Sequence, residues 1–204
     1  MYTPQQFIVD IEDFLDENEI NIDSLSINSL NEEEYSPLFE NSLFRFSYGA
    51  TRGCFIPMKE PKFAFKFDLQ DLDELYCSTE AVFYQDAIKN GLQKCFMEIH
   101  PFDGINNTSL YLCEYIEKTS SASNVKISRR TREMIQEYTS KHKNAPHIPK
   151  LWTSEFIKYY GLKTYDKFLD FIIERGINDL HDCNIGYTQG RPIVFDYAGF
   201  YEET

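Results

Sequence analysis

The sequence predicts an α+β fold, with strands gathered in its first part and helices in its second. Two patterns carry that reading. Between Leu43 and Glu117, apolar and polar residues alternate over several short runs, the period of half-buried strands. Between Ser128 and Gly176, apolar residues return at helical spacing. A third observation bounds both: 42% hydrophobic and 16% aromatic residues in a chain of 204 rule out wholesale disorder and supply a sizeable core. The length suits one domain, or one domain with an extension.

Residues 1–42 read as a distinct acidic extension that carries a helix. Phe7, Ile8, Ile11, Phe14 and Leu15 recur at helical spacing, with Thr3 placed to cap and Pro4 at the first helical position. Glu32, Glu33 and Glu34 read as a solvated helix start or face. LFRFSYG, from Leu43, reads as a strand, and GATRGCFIPM as a turn followed by a short strand. KFAFKFDL is a second alternating strand, with Phe63, Phe65 and Phe67 on one face and Ala64 and Lys66 on the other. DLDELYCSTEAVFYQDAIKNG has helical period and stops at Asn90-Gly91. CFMEIHPF and SLYLCEYIE read as two more strands, joined by the turn DGINN. SRRTREMIQEYTSKHK is a basic amphipathic surface helix. WTSEFIKYYG and TYDKFLDFIIERG are two further helices, the latter offering Tyr165, Phe168, Leu169, Phe171, Ile172 and Ile173 for burial. The chain closes with short strands in INDLHDCNIGYT and PIVFDYAGFYEET, around an Asp/Asn-rich loop and the turn QGRP.

Charge and cysteines narrow the function classes. A net charge of −13 argues against a nucleic-acid partner, which needs clustered Lys and Arg, and against docking on anionic lipid. No apolar run reaches the roughly 18–20 residues of a membrane span. The first residues are acidic and lack a basic region, so no signal peptide is expected. Cys54, Cys77, Cys95, Cys113 and Cys183 are odd in number and form no CxxC pair. They read as reduced, buried thiols of a cytoplasmic protein.

Chemistry concentrates near the end. Asp179-Leu180-His181-Asp182-Cys183-Asn184 is followed, twelve residues after Asn184, by Asp196-Tyr197-Ala198-Gly199. Magnesium prefers oxygen ligands and takes only one or two carboxylates from a protein. An Asn carbonyl and an Asp carboxylate on neighbouring strand ends suit it, with phosphates completing the shell. A separate Asp can orient or deprotonate an acceptor hydroxyl.

Here the chain resembles the protein-kinase-like superfamily. Ile177-Asn178-Asp179-Leu180-His181-Asp182-Cys183-Asn184 stands where that family has its H-R-D-L-x-x-x-N catalytic loop. The resemblance implies Asp179 as the catalytic carboxylate, and Asn184 and Asp196 as magnesium ligands. Asp196-Tyr197-Ala198-Gly199 is similar to the D-F-G motif with one extra residue before the glycine. Lys66 resembles the strand lysine that meets the nucleotide phosphates, and Glu80 the helix glutamate that pairs with it. Gly49-Ala50-Thr51-Arg52-Gly53 occupies the place of the glycine-rich loop, so Gly49, Arg52 and Gly53 are expected to bind nucleotide. Glu114-Tyr115 falls at the hinge between lobes, where backbone would meet adenine. Taken singly, each residue has a plainer reading: a turn, a surface charge, a loop hydrogen bond for His181. Asp182 is the alternative carboxylate, with spacing that fits less well. Their joint order is what is specific.

The resemblance implies a two-lobed kinase-like fold, with an N-lobe at 43–116 and a reduced helical C-lobe at 117–204. It implies an ATP- and Mg²⁺-dependent phosphotransferase acting on the hydroxyl of an unknown protein or small molecule. The alternative is a pseudokinase-type nucleotide-binding or interaction module without turnover. Two departures matter. The His and Arg of H-R-D are replaced by Ile177 and Asn178, so control through a phosphorylated activation loop is not expected. Only Phe200–Thr204 follow the D-Y-A-G, so no peptide-binding platform is expected, and a homodimer or a partner is expected to cover the shortened lobe. Compact proteins of this kind look most at home in bacteria or their phages.

Overall fold

A computed structural model describes residues 2–70, 75–116, 128–142 and 144–198. The fold is α+β, as the periodicities require. The chain divides into two compact units: Met1–Ala81 with Glu98–Tyr115, and Val82–Met97 with Ile116–Thr204.

The first unit is built on a five-stranded antiparallel sheet. Its strands are β1 (Phe44–Tyr48), β2 (Arg52–Pro57), β3 (Phe63–Asp68), β4 (Ile99–Ile105) and β5 (Thr108–Glu114), in the order β1-β2-β3-β5-β4. One face carries Phe44, Phe46, Phe55, Phe65 and Phe67. The segment that precedes the sheet covers them. Helix α1 (Pro4–Glu17) opens as its sequence dictates: Thr3 Oγ1 accepts the Gln6 amide at 3.2 Å, and Pro4 stands at the first turn. Its buried stripe is Phe7, Ile8, Ile11 and Leu15. Three short 3₁₀ turns follow and add Ile22, Leu25, Leu30, Tyr35 and Leu38 to the same core. Phe7 stacks on Phe65 at 6.0 Å, and Phe14 meets Phe44 edge-on at 5.0 Å. Residues 2–42 are therefore packed into the sheet's own core, while Glu32, Glu33 and Glu34 stay exposed as expected.

Two glycines are explained by close approach. A Cβ on Gly53 would lie 2.3 Å from the ring of Phe67, its cross-strand partner, so the buried ring requires glycine there. A Cβ on Gly104 would lie 1.9 Å from the Thr108 carbonyl oxygen. That glycine sits in an irregularity of the β4–β5 ladder between Phe102 and Ile105. DGINN is consequently not all turn. β4 runs on through Ile105, and the reversal is made by Asn106, at φ 54°, and Asn107.

The other face of β3 presents Ala64, Lys66 and Asp68. Helix α2 (Tyr76–Lys89) contributes its residues up to Ala81 to this unit. The expected start of that helix at 71–74 lies outside the described residues.

The second unit holds α3 (Arg129–Lys141), α4 (Lys150–Tyr160), α5 (Leu162–Glu174) and the hairpin β6 (Ile185–Thr188) and β7 (Arg191–Val194). Ser128 caps α3 through the Thr131 amide, at 3.1 Å; the expected last residue, Lys143, lies outside the described residues. Gly161, at φ 85°, ends α4 and lets α5 begin at once. Trp152, Phe156, Tyr165 and Phe168 form the aromatic centre, with Phe96 against Phe168, Phe171 and Tyr197. No helix among the described residues is long and apolar enough to cross a membrane.

Candidate functional site

In the first unit the chemistry-bearing residues converge where α2 meets β2 and β3. Glu80 is fully buried. Its Oε2 lies 3.1 Å from Lys66 Nζ and its Oε1 lies 2.8 Å from Arg52 Nη1. The lysine and arginine side chains are only 14% and 12% exposed, so water screens these pairs little. Lys66 reaches the helix because alternation turns it away from the phenylalanine face. Its neighbours across the ladder are Cys54 on β2 and Tyr111 on β5. Arg52, the first residue of β2, also lies over the Tyr76 ring, 5.9 Å from its centroid and one turn before Glu80. Arg52 therefore points at α2 from its strand, rather than into the Gly49–Thr51 turn, which is closed by the Gly49 amide on the Arg52 carbonyl at 2.9 Å.

Asp68 completes this cluster. It pairs with Arg52 across the ladder, and its Oδ1 accepts the Cys77 amide in the first turn of α2 at 2.9 Å. Sequence reasoning missed it, although its position two residues after Lys66 puts it on the same strand face. Burial pushes the Asp68 carboxyl above its ordinary value, against the pull of the Cys77 amide and of Arg52. The folded state then holds that proton more tightly than the unfolded chain. Ionising Asp68 costs stability as the pH rises from the ordinary 3.8 through the higher folded value. Asp68→Asn keeps an oxygen for the Cys77 amide and removes the charge. Its stability relative to wild type is expected to grow over that rise, when urea unfolding is followed from about pH 3 to about pH 7. A difference that shrinks with pH would mean that attraction to Arg52 outweighs burial.

The cysteines near Lys66 behave as small apolar residues. Burial pushes the Cys54 thiol up to about 11 and the Cys113 thiol higher still. Cys77 and Cys95 are buried as well. Cys183 corrects the expectation for its type: it is exposed, because it sits in the Asp/Asn-rich loop and not in a packed element. At the end of β5, the Glu114 amide donates to the Glu98 carbonyl and the Tyr115 amide to the Lys62 carbonyl, both at 3.2 Å. The Tyr115 hydroxyl accepts from Arg45 at 3.2 Å.

In the second unit, Asp179, Asn184 and Asp196 belong to one loop-and-hairpin. Asn184 Nδ2 donates to the Asp179 carbonyl at 2.7 Å and to Asp179 Oδ2 at 3.0 Å. His181, which the spacing left as a loop residue, organises the turn. Its Nδ1 accepts the Cys183 amide at 3.1 Å, which fixes the proton on Nε2, and Nε2 faces Asp179 Oδ1 at 3.2 Å. The Ile185–Val194 pair opens the hairpin ladder, and the Phe195 amide donates to the Asn184 carbonyl at 3.0 Å. Asn184 and Asp196 thus flank the open end of the same two strands. Gln189 and Gly190, at φ 50° and 76°, make the tight turn at the other end. Tyr197 is anchored beneath, its hydroxyl on the Met97 carbonyl at 2.9 Å. Gly199 lies outside the described residues.

Asn184 and Asp196 offer an amide oxygen and one carboxylate, donor types that would suit a magnesium ion. With both amide hydrogen bonds of Asn184 directed at Asp179, its Oδ1 is the group left to ligate, beside one carboxylate, Asp196. Among the described residues, no three His, Cys, Asp or Glu side chains cluster as a metal site. Comparison with known protein families, with curated proteins and with solved structures found no match.

Proposed function

We propose that the chain is a kinase-like phosphotransferase that uses ATP and Mg²⁺, with the first unit as its nucleotide-phosphate lobe and the second as its catalytic lobe. One observation carries the reading: the buried ion pair of Lys66 on the third strand with Glu80 on the helix that follows, 3.1 Å apart and fourteen residues distant in the chain. That pairing is the one a protein kinase uses to set the phosphates. Lys66 would meet the α- and β-phosphates. Asn184 and Asp196 would hold Mg²⁺, which neutralises charge on the transferring group. Asp179 would accept the proton of the acceptor hydroxyl as its oxygen bonds to the γ-phosphorus and the bond to the leaving ADP oxygen breaks. The acceptor is a hydroxyl on a protein or a small molecule.

Thermal unfolding with and without Mg–ATP tests the nucleotide site. At about 100 times its dissociation constant the ligand adds about 2.7 kcal/mol, a shift of roughly 5–11 °C for a chain of this size. The shift is expected to require magnesium and to vanish in Asp196→Ala. No shift in wild type at millimolar Mg–ATP overturns the reading. A shift without phosphoryl transfer to any added acceptor supports the pseudokinase alternative instead.

A further inference from the structure

We propose that Arg52 is a positioning residue that keeps the charge of Glu80 compensated while Lys66 is drawn toward the phosphates of a nucleotide. The proposal rests on the phosphotransferase reading. Glu80 is fully buried, and two cations approach it by separate oxygens, Arg52 at Oε1 and Lys66 at Oε2. Either can move without displacing the other. A buried carboxylate that loses its cation is strongly destabilised, because neither water nor a counter-charge replaces it. If Lys66 alone compensated Glu80, any phosphate that attracted Lys66 would have to overcome that cost. Arg52 removes it.

The residue type and its setting suit that task. A guanidinium stays charged at every working pH, and its planar fork is held in one orientation. Arg52 lies over the Tyr76 ring on α2 and, across the β2–β3 ladder, stands opposite Asp68, whose carboxylate feels its charge. Tyr76 and Glu80 are four residues apart on α2, so one side chain ties two successive turns of that helix to the edge of the hairpin. Arg52 thereby holds Glu80 in place before any ligand arrives.

Two thermodynamic cycles test this. Without ligand, Arg52→Met, Lys66→Met and the double variant are compared by thermal unfolding. Each single change leaves Glu80 one of these cations and is expected to lower Tm by a few degrees, roughly 2–8 °C. The double change removes both and should lower Tm by more than the sum; failure of only the double variant to fold is the same result at its limit. Additive losses overturn the sharing of Glu80. With ligand, Arg52→Met is expected to weaken Mg–ATP binding about tenfold or more. Arg52→Lys should recover most of that. In a Glu80→Gln background, Arg52→Met should weaken binding no further, since the charge that needed compensation is gone. A role in packing alone would give neither the rescue by lysine nor the rescue by Glu80→Gln, and a persistent loss in that background overturns the proposal. Should Arg52→Met fail to fold, Arg52→Met with Glu80→Gln must fold; if it does not, charge is not the reason. Wild type that does not bind Mg–ATP removes the phosphotransferase reading and Arg52's role toward nucleotide together. The ligand-free cycle distinguishes that outcome, because it reports the sharing of Glu80 whether or not ATP binds.

Discussion

A chain that begins at Leu43 is expected not to fold its first unit. Phe7, Ile11 and Leu38 are fully buried, and Leu15 and Leu25 are 1% exposed, in the core that also holds Phe44, Phe55, Phe65 and Phe67. Deleting the segment strips one face of the sheet to water. Each large apolar side chain removed forfeits roughly 1.5–3 kcal/mol of burial, and the exposed phenylalanines lose as much again. The total exceeds the roughly 5–15 kcal/mol by which a domain is stable. Circular dichroism and urea unfolding of the truncated chain should show no cooperative transition for this unit. Amide exchange should show unprotected β1–β3 strands. A truncated chain with a cooperative transition and protected strands would mean that residues 2–42 are an appendage to a sheet stable without them. The same deletion should abolish any Mg–ATP effect, since Lys66 and Glu80 are held by that sheet and the helix on its other face.

The elements were readable where the signal was local. Thr3-Pro4 and the spacing of Phe7, Ile8, Ile11 and Leu15 specify α1 by capping and periodicity alone. The alternation of Phe63, Ala64, Phe65, Lys66 and Phe67 specifies both β3 and its two faces. What covers the phenylalanine face was not readable. The contact between Phe7 and Phe65 joins residues far apart in the chain, and no periodicity encodes a partner. The acidic composition of residues 1–42 suggested a separate piece because charge is counted over all residues, whereas packing depends on the few that face inward. The Lys66–Glu80 pair followed from the family resemblance and stands at 3.1 Å. Arg52 on Glu80 did not follow. It requires the β2–β3 register, which places Arg52 opposite Asp68, and a spacing rule for a phosphate loop gives that residue a different neighbour. Gly53 was read in the same loop, and the structure gives it a reason in core packing, the Phe67 ring over its Cα.

Asp179→Asn is expected to lower turnover by about 10² to 10⁴, the usual worth of a positioned proton acceptor, with Mg–ATP affinity preserved. The amide has nearly the shape of the carboxylate but cannot take the acceptor's proton. The structure sets one further condition. Asp179 accepts at both oxygens, Oδ1 facing His181 Nε2 and Oδ2 taking Asn184 Nδ2. The Cys183 amide holds His181 in the tautomer that donates from Nε2. An asparagine at 179 has one side-chain oxygen for two donors; Asn184 keeps the main-chain carbonyl of residue 179, so His181 is the donor left to lose its partner. Asn184→Ala separates these effects, because it removes an expected metal ligand and should weaken the magnesium-dependent thermal shift. Asp179→Asn should leave that shift intact. His181→Ala removes orientation but no proton acceptor, and should cost about tenfold or less in turnover, far short of Asp179→Asn. The readouts are single-turnover transfer and Mg–ATP binding on the same preparations. Asp179→Asn with turnover within a few-fold of wild type would remove Asp179 from the chemistry and leave Asp182 as the carboxylate to test. Loss of Mg–ATP binding in the same variant would assign Asp179 to the architecture of the loop instead, since a proton acceptor has no reason to change the affinity for a nucleotide it does not ligate.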